Sequence, residues 1–251
     1  MIAKAVEFFN TRFQKLHLAV MENRLKLNDI QASLELAKIE VGFVPKSSYS
    51  MSPVALLHVI NEIVINNRRV ILELGTGVST VYIAKVAKDL GLELEIVSID
   101  ENPDWQNTIG GYLKKLGCED IVRFCHSDID EASDCGWYQE DVLSELFVKN
   151  SFRFDCIIID APSTHDHVSA RSRAIPFLMD SGFIQEEYAI YLDDTYRNAE
   201  KKIAKDWKAL LQCKLADHVV YTELTNGNGF VSRPMLQGHK YRIMEYDKVK
   251  G

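Results

Sequence analysis

The chain has 251 residues, 47% hydrophobic and 26% charged, enough for one large domain with a sizeable core. Lys and Arg number 29 against 36 Asp and Glu, a formal net charge of −7. This balance argues against a protein that grips nucleic acid or an anionic membrane mainly by charge. No run approaches the ~18 consecutive apolar residues of a membrane span. The first ten residues carry Glu7 and lack a small-residue cleavage site, so they do not read as a secretory signal. The five cysteines (Cys118, Cys125, Cys135, Cys156, Cys213) form no C-x-x-C pair and read as reduced thiols of a cytoplasmic protein.

Residues 2–41 carry apolar side chains at Ile2, Val6, Phe9, Phe13, Leu16, Val20, Leu27, Ile30, Leu34, Ala37 and Val41, with Asn23 filling the gap in register. The spacing averages 3.5, the coiled-coil period, and a lone polar residue in such a seam can fix register. Two readings stand at even weight: an arm for homo-oligomerisation through residues 2–41, and amphipathic helices folded over the chain's own domain. The chain divides into an arm, 1–44, and a domain, 45–251, at a break that contains Gly42, Pro45, Ser47, Ser48 and Ser50.

Ser52 and Pro53 begin a helix that runs to about Asn66. Strands and helices then alternate. Strands are expected at Val70–Leu74, Leu94–Ile99, Ile121–Cys125, Phe154–Ile159 and Tyr188–Leu192. Helices are expected at Val78–Asp89, Pro103–Leu116, Tyr138–Lys149, Ser169–Met179 and Asn198–Cys213. This pattern predicts a mostly parallel α/β sheet with helices on both faces. At the end, His218–Leu224 reads as a strand, Asn226-Gly227-Asn228-Gly229 as a turn, and Phe230 onward as the returning partner, an antiparallel hairpin.

Ligands of open α/β sheets bind at the carboxyl ends of the strands. The first strand ends in Glu73-Leu74-Gly75-Thr76-Gly77-Val78-Ser79-Thr80. Gly75 and Gly77 allow a tight turn and a close approach of ligand to backbone, at the positive end of a following helix. Thr80 stands where a dinucleotide fingerprint has its third glycine, and no Lys precedes a Ser or Thr as in a phosphate-cradling loop. These features fit a nucleoside ligand without a pyrophosphate. The later strands end in Asp100, Asp128, Asp160 and the pair Asp193-Asp194. An acid at the position of Asp100 can accept hydrogen bonds from both ribose hydroxyls.

These segments together resemble the class I S-adenosylmethionine-dependent methyltransferases, from about residue 50 onward. The resemblance rests on E-L-G-T-G-V-S-T, I-V-S-I-D at 96–100, H-S-D at 126–128, I-I-I-D-A-P at 157–162 and Y-L-D-D-T-Y-R at 191–197. The last two segments are similar to the D-G-P and D-D-x-x-R motifs of the bacterial small-molecule and glycan methyltransferase group, with Ala161 in place of the glycine. The resemblance implies a Rossmann-like, doubly wound seven-stranded sheet whose last strand is antiparallel. It also implies that Glu73, Gly75, Gly77 and Ser79 line the methionine end of the cofactor. Asp100, with Glu101 as alternate, holds the ribose; Asp128, beside Ser127, meets the adenine; Asp160 sits near the transfer site. The implied reaction is methyl transfer to a small-molecule or glycan acceptor, at a hydroxyl.

Two ways to deprotonate that hydroxyl follow. One is Mg²⁺ or another divalent cation held by Asp160, Asp193 and Asp194, hard oxygen ligands that would lower the hydroxyl's pKa. Its competitor is an Asp194 that pairs with Arg197 or caps the next helix. The other is a metal-free base, His165 or His167, beside Asp160. Arg171 and Arg173 are candidates for an acidic acceptor, or simply surface arginines. Trp137 and Tyr138 could stack on a sugar ring or pack a lid. Rival functions are a nucleotide-dependent oxidoreductase on a related sheet and a non-catalytic S-adenosylmethionine-binding module. The six acids Glu73, Asp100, Asp128, Asp160, Asp193 and Asp194 would place much of the excess negative charge around one pocket.

Overall fold

The computed structural model describes residues 25–47, 49–130, 132–133, 135–163 and 169–235. The strands are β1 (Val70–Leu74), β2 (Glu95–Asp100), β3 (Val122–His126), β4 (Phe154–Ile159), β5 (Ile184–Leu192), β6 (Lys214–Asp217) and β7 (Thr222–Asn226). The helices are α1 (25–36, as far as it is described), then α2 (Pro53–Ile65), α3 (Val78–Leu90), α4 (Pro103–Leu116), α5 (Glu140–Lys149), α6 (Ala174–Asp180) and α7 (Asn198–Leu211). The seven strands form one sheet in the order β3-β2-β1-β4-β5-β7-β6. The first five are parallel to one another, whereas β7 is antiparallel to both β5 and β6.

The layering follows from strand alternation. Leu72, Leu74, Ile157, Ile159, Ile190 and Leu192 point into a core shared with Leu143, Phe147, Ile175, Ile203 and Trp207 of α5, α6 and α7. Ile71, Cys156, Ile158, Ala189 and Tyr191 point the other way, against Val59 of α2, Val81 of α3 and Ile109 of α4. Burial on both faces explains why F-D-C-I-I-I reads as an almost unbroken apolar run.

Local chemistry sets the helix limits. The Ser52 hydroxyl accepts from the Ala55 N–H at 3.2 Å and the Asn102 side chain from the Trp105 N–H at 3.0 Å, each followed by proline in the first turn. Gly91 ends α3 and Gly117 ends α4, both left-handed. The expected helix Ser169–Met179 is in fact a 3-10 turn, Ala170–Arg173, followed by α6. Pro176 therefore falls in the first turn of α6, where its missing N–H breaks no helical bond.

The terminal hairpin differs from expectation. The antiparallel partner of β7 is β6, which precedes it; residues 230–235 form no strand. Their place is fixed instead by Asn66 at the end of α2, whose Oδ1 accepts from the Phe230 N–H at 2.6 Å and whose Nδ2 donates to the Phe230 carbonyl at 3.0 Å. The tight turn of the hairpin is 218–221, closed by the His218 N–H to the Tyr221 carbonyl at 2.9 Å.

Of the arm, residues 1–24 lie outside the described residues. In α1, Ala32 and Leu36 are buried, while Leu27, Ile30 and Leu34 of the expected seam are 65%, 58% and 65% exposed. The boundary at 44/45 does not divide the core, because Leu36, Val41 and Val44 pack in the same cluster as α2 and α3. Among the described residues, no helix is long and apolar enough to cross a membrane.

Candidate active site

Register carries the acids to one rim. Leu74 lies level with Ile99 and with Ile159, and Ile159 with Leu192. The next residue of each strand is then Gly75, Asp100, Asp160 and Asp193, a row with ~4.8 Å between neighbouring strands. Backbone bonds continue past the strands and hold the row level. Gly75 donates to the Ile99 carbonyl at 2.8 Å, Asp160 to Leu74 at 2.9 Å, Asp193 to Ile159 at 3.0 Å and Ser127 to Asp100 at 3.2 Å.

At the centre of the row the chain turns from β1 into α3. Gly75 has φ +104°, and a Cβ there would lie 3.1 Å from the Ala161 Cβ; both backbone and space demand glycine. Gly77 is different. Its backbone is extended, and a Cβ would meet nothing nearer than the Ser79 hydroxyl at 3.9 Å. The outer side of the turn is therefore an open cradle beside the free N–H groups of α3, as an approaching ligand requires.

Beneath the turn, Glu73 is fully buried. Its carboxylate accepts from the hydroxyls of Ser79 at 2.6 Å, Thr80 at 2.5 Å and Ser98 at 2.8 Å. Burial pushes this carboxyl up to about 7, against the pull of the three hydroxyls. Glu73 and Ser79 thus brace the turn from inside, and their polar atoms point at each other. Thr80 fills the place of the absent third glycine and also closes the turn, accepting from the Gly77 N–H at 2.9 Å.

Asp100 accepts from the Thr76 N–H and the Asn102 N–H, each at 2.8 Å. Burial raises it to about 6, partly offset by those N–H groups. Two residues of α4 without any motif signal complete the brace. Trp105 donates its indole N–H to the Thr76 carbonyl at 2.7 Å, and the Gln106 amide reaches the Cys125 carbonyl at 3.0 Å. Ser127 is buried, and Asp128 stands out from the rim, 68% exposed, with its carboxylate 3.4 Å from His126 Nε2. Carboxylates at 100, 128 and 160 around an open glycine turn suit a ligand that presents ribose hydroxyls, an exocyclic amine and a cationic centre.

The acceptor side is governed by Arg171, which is 3% exposed. Its guanidinium donates to the Asp160 carbonyl, lies 3.5 Å from the Asp160 carboxylate and 3.2 Å from that of Asp194, and reaches the carbonyls of Pro162 and Asp193. Arg197 also pairs with Asp194, at 3.1 Å. The expected metal triad therefore does not fit. A guanidinium cation stands between Asp160 and Asp194, and the oxygens of Asp160, Asp193 and Asp194 do not converge as a ligand set among the described residues. The carboxyls of Asp160 and Asp193 are both raised by burial. Arg171 opposes the rise at each, while the neighbouring carboxylates add to it.

The other candidates separate. Arg173 forms a two-bond pair with Glu140 at 2.6 and 3.0 Å, so neither arginine stands ready for an acidic acceptor. Trp137 and Tyr138 are buried, with the Tyr138 hydroxyl donating to Glu101 at 3.2 Å; they pack and do not present a stacking face. His165 and His167 lie outside the described residues. The pocket charge is also lower than six acids suggest, because Arg171 and Arg197 sit among them.

Residues 72–185 match the model of a methyltransferase domain. No curated protein sequence matches the chain. The SAH-bound methyltransferase PaMTH1 of Podospora anserina has a similar fold, with a TM-score of 0.52 and 17% identity over 80% of this chain and 88% of that one. An O-methyltransferase of Bacillus cereus in complex with SAH is similar at a TM-score of 0.51 and 14% identity, over 79% and 90%. The match covers residues 72–185, and the seven-stranded sheet around them shares its fold with methyltransferases of known structure.

Proposed function

We propose that the protein transfers the methyl group of S-adenosylmethionine to a hydroxyl of a small-molecule or glycan acceptor, without a divalent cation at the transfer site. The observation that carries this reading is the open turn at Gly77, beside Gly75 in its row with Asp100 and Asp160. Bound there, the cofactor supplies an electrophilic methyl group. Asp100 would hold the ribose and Asp128 the adenine edge, while Glu73, Ser79, Trp105 and Gln106 keep the turn in shape. Transfer needs the acceptor oxygen in line and relieved of its proton. Asp160, its pKa raised by burial toward the working range, is the base we assign, with His165 and His167 the nearest alternatives in sequence. Arg171 takes the electrostatic place that a cation would fill. The O-methyltransferase of similar fold from Bacillus cereus supports a hydroxyl acceptor. The absence of a third glycine at Thr80 weighs against a dinucleotide.

Isothermal titration with S-adenosylmethionine and NAD tests the cofactor; tight binding of NAD alone overturns the reading. Turnover on a panel of hydroxylated acceptors, followed as S-adenosylhomocysteine release, tests the reaction. Added Mg²⁺ is expected to leave the rate unchanged, and a rate that depends on Mg²⁺ refutes the assignment of Arg171. Asp160→Asn should abolish turnover while cofactor binding survives.

For the arm we propose pairing with a second copy. The outward face of α1 continues the 3.5-residue spacing of residues 2–24, and Leu27, Ile30 and Leu34 are left exposed on it. Charging that face with Ile30→Glu and Leu34→Glu together should convert a dimer to a monomer in light scattering. A wild-type monomer at micromolar concentration ends the idea. The five cysteines are all free thiols, which supports a reducing, cytoplasmic setting.

A further inference from the structure

On the α2 face of the sheet edge, two imidazoles and a carboxylate converge. His58 comes from the middle of α2, His218 from the turn between β6 and β7, and Glu223 from β7, where it is paired in register with Tyr191. His58 Nε2 lies 3.8 Å from one Glu223 oxygen, and His218 Nε2 lies 3.4 Å from the other. One ligand atom from each residue falls within 4.8 Å of the other two, the only such trio among the described residues. Nothing in the methyl-transfer site uses these three side chains.

The geometry points to a binding site for a transition-metal dication of the zinc class, held by His58, His218 and Glu223 with a fourth position open toward Ser232. Three observations carry it. First, tetrahedral bonds of about 2.0–2.1 Å place neighbouring ligand atoms roughly 3.3–3.4 Å apart. The observed 3.4 and 3.8 Å run to the two different oxygens of Glu223, and the three ligand atoms lie within 4.8 Å of one another, so closing on one ion needs side-chain shifts on the order of an ångström. Second, the rings are already aimed. His58 Nδ1 bonds the Tyr221 hydroxyl at 2.8 Å, leaving Nε2 for the shared point, and His218 is stacked on the same tyrosine at 4.6 Å between centroids. Outer partners of this kind fix the tautomer and direction of metal-binding histidines.

Third, the fourth position has candidates. The Ser232 hydroxyl is 3.1 Å from His58 Nε2, and His58, Glu223 and Ser232 all border a cavity of about 220 Å³ that can admit an ion and a water. Arg233 faces the cluster and opposes a cation; Glu62, which also borders the cavity, is neutralised by Arg68 at 2.8 Å. Two imidazoles with one carboxylate favour zinc and its neighbours over Mg²⁺, which prefers an all-oxygen shell. The ion would clasp α2, the β6–β7 turn and the segment that carries Ser232.

The test uses the full chain, stripped with EDTA and freed of chelator. Titration with Co²⁺ should give visible absorption bands of low-coordinate cobalt that saturate at one equivalent and vanish on adding Zn²⁺. Zn²⁺ should also raise the thermal midpoint by several degrees, whereas Mg²⁺ should not. His218→Ala should lose both the bands and the shift; if it does not fold, Glu223→Gln, which keeps the shape and removes the charge, is read instead. Absence of the bands in the wild-type protein overturns the proposal. Bands that persist unchanged in the folded variant also overturn it, because the chain has seven histidines and the metal would then sit elsewhere.

Discussion

Arg171→Met keeps most of the side-chain volume and removes one buried positive charge. In the folded protein that charge faces the Asp160 carboxylate at 3.5 Å and the Asp194 carboxylate at 3.2 Å, with three backbone carbonyls around it. Breaking a buried pair by removing one partner costs about 3–5 kcal/mol, because it strands the other charge. Two features place this case at the low end. Asp194 keeps Arg197 at 3.1 Å, and Asp160, already raised by burial, can take up a proton. A loss of about 3 kcal/mol corresponds to a fall in Tm of roughly 6–12 °C for a domain of this size. Urea denaturation of both proteins at neutral pH measures it. The double variant with Asp160→Asn should recover part of the loss, since the carboxylate left without its main cation is then gone. A loss under about 1 kcal/mol, or strict additivity of the two changes, refutes the view that the guanidinium is the cation of this site.

Further outcomes follow from the same geometry. Gly75→Ala should destabilise by about 1–3 kcal/mol, the cost of a non-glycine residue at that φ, whereas Gly77→Ala should leave Tm nearly unchanged and weaken cofactor binding by on the order of tenfold, or about 1.4 kcal/mol. Equal Tm losses for the two would contradict the distinction between a packed and an open glycine. Glu73 holds its proton more tightly folded than unfolded, so stability should fall as pH rises from 4.5 to about 7. At about 1.4 kcal/mol per pH unit, that effect is capped near ~3 kcal/mol, and Glu73→Gln should flatten the urea-midpoint profile over that range. His165→Ala and His167→Ala should each keep turnover within about threefold if Asp160 is the base; a loss in kcat of about a hundredfold with unchanged cofactor affinity would transfer the role to a histidine.

The alternation of elements, and with it the α/β layering, was legible in the residues themselves. Apolar runs such as Phe154–Ile159, the cap Ser52, and the stops Gly91 and Gly117 act within a few residues of where they stand, so chain order displays them. Strand ends are local too, which is why Gly75, Asp100 and Asp160 could be named as one set before any contact was known. The pairing partner of β7 was not legible, because Asn226-Gly227 permits a hairpin but cannot choose between a strand before it and one after it. That choice fell to Leu215 of β6, which packs against the core, and to the hold of Asn66 on Phe230, across 164 positions of chain. Arg171 reads as one more surface arginine until β4, β5 and the segment before α6 are brought together. Only then does its charge meet two carboxylates in a place water hardly reaches, and only tertiary structure could decide that it stands where a metal was expected. His58, His218 and Glu223 are likewise ordinary in sequence, since a convergence of side chains from a helix, a turn and a strand has no period or spacing to announce it.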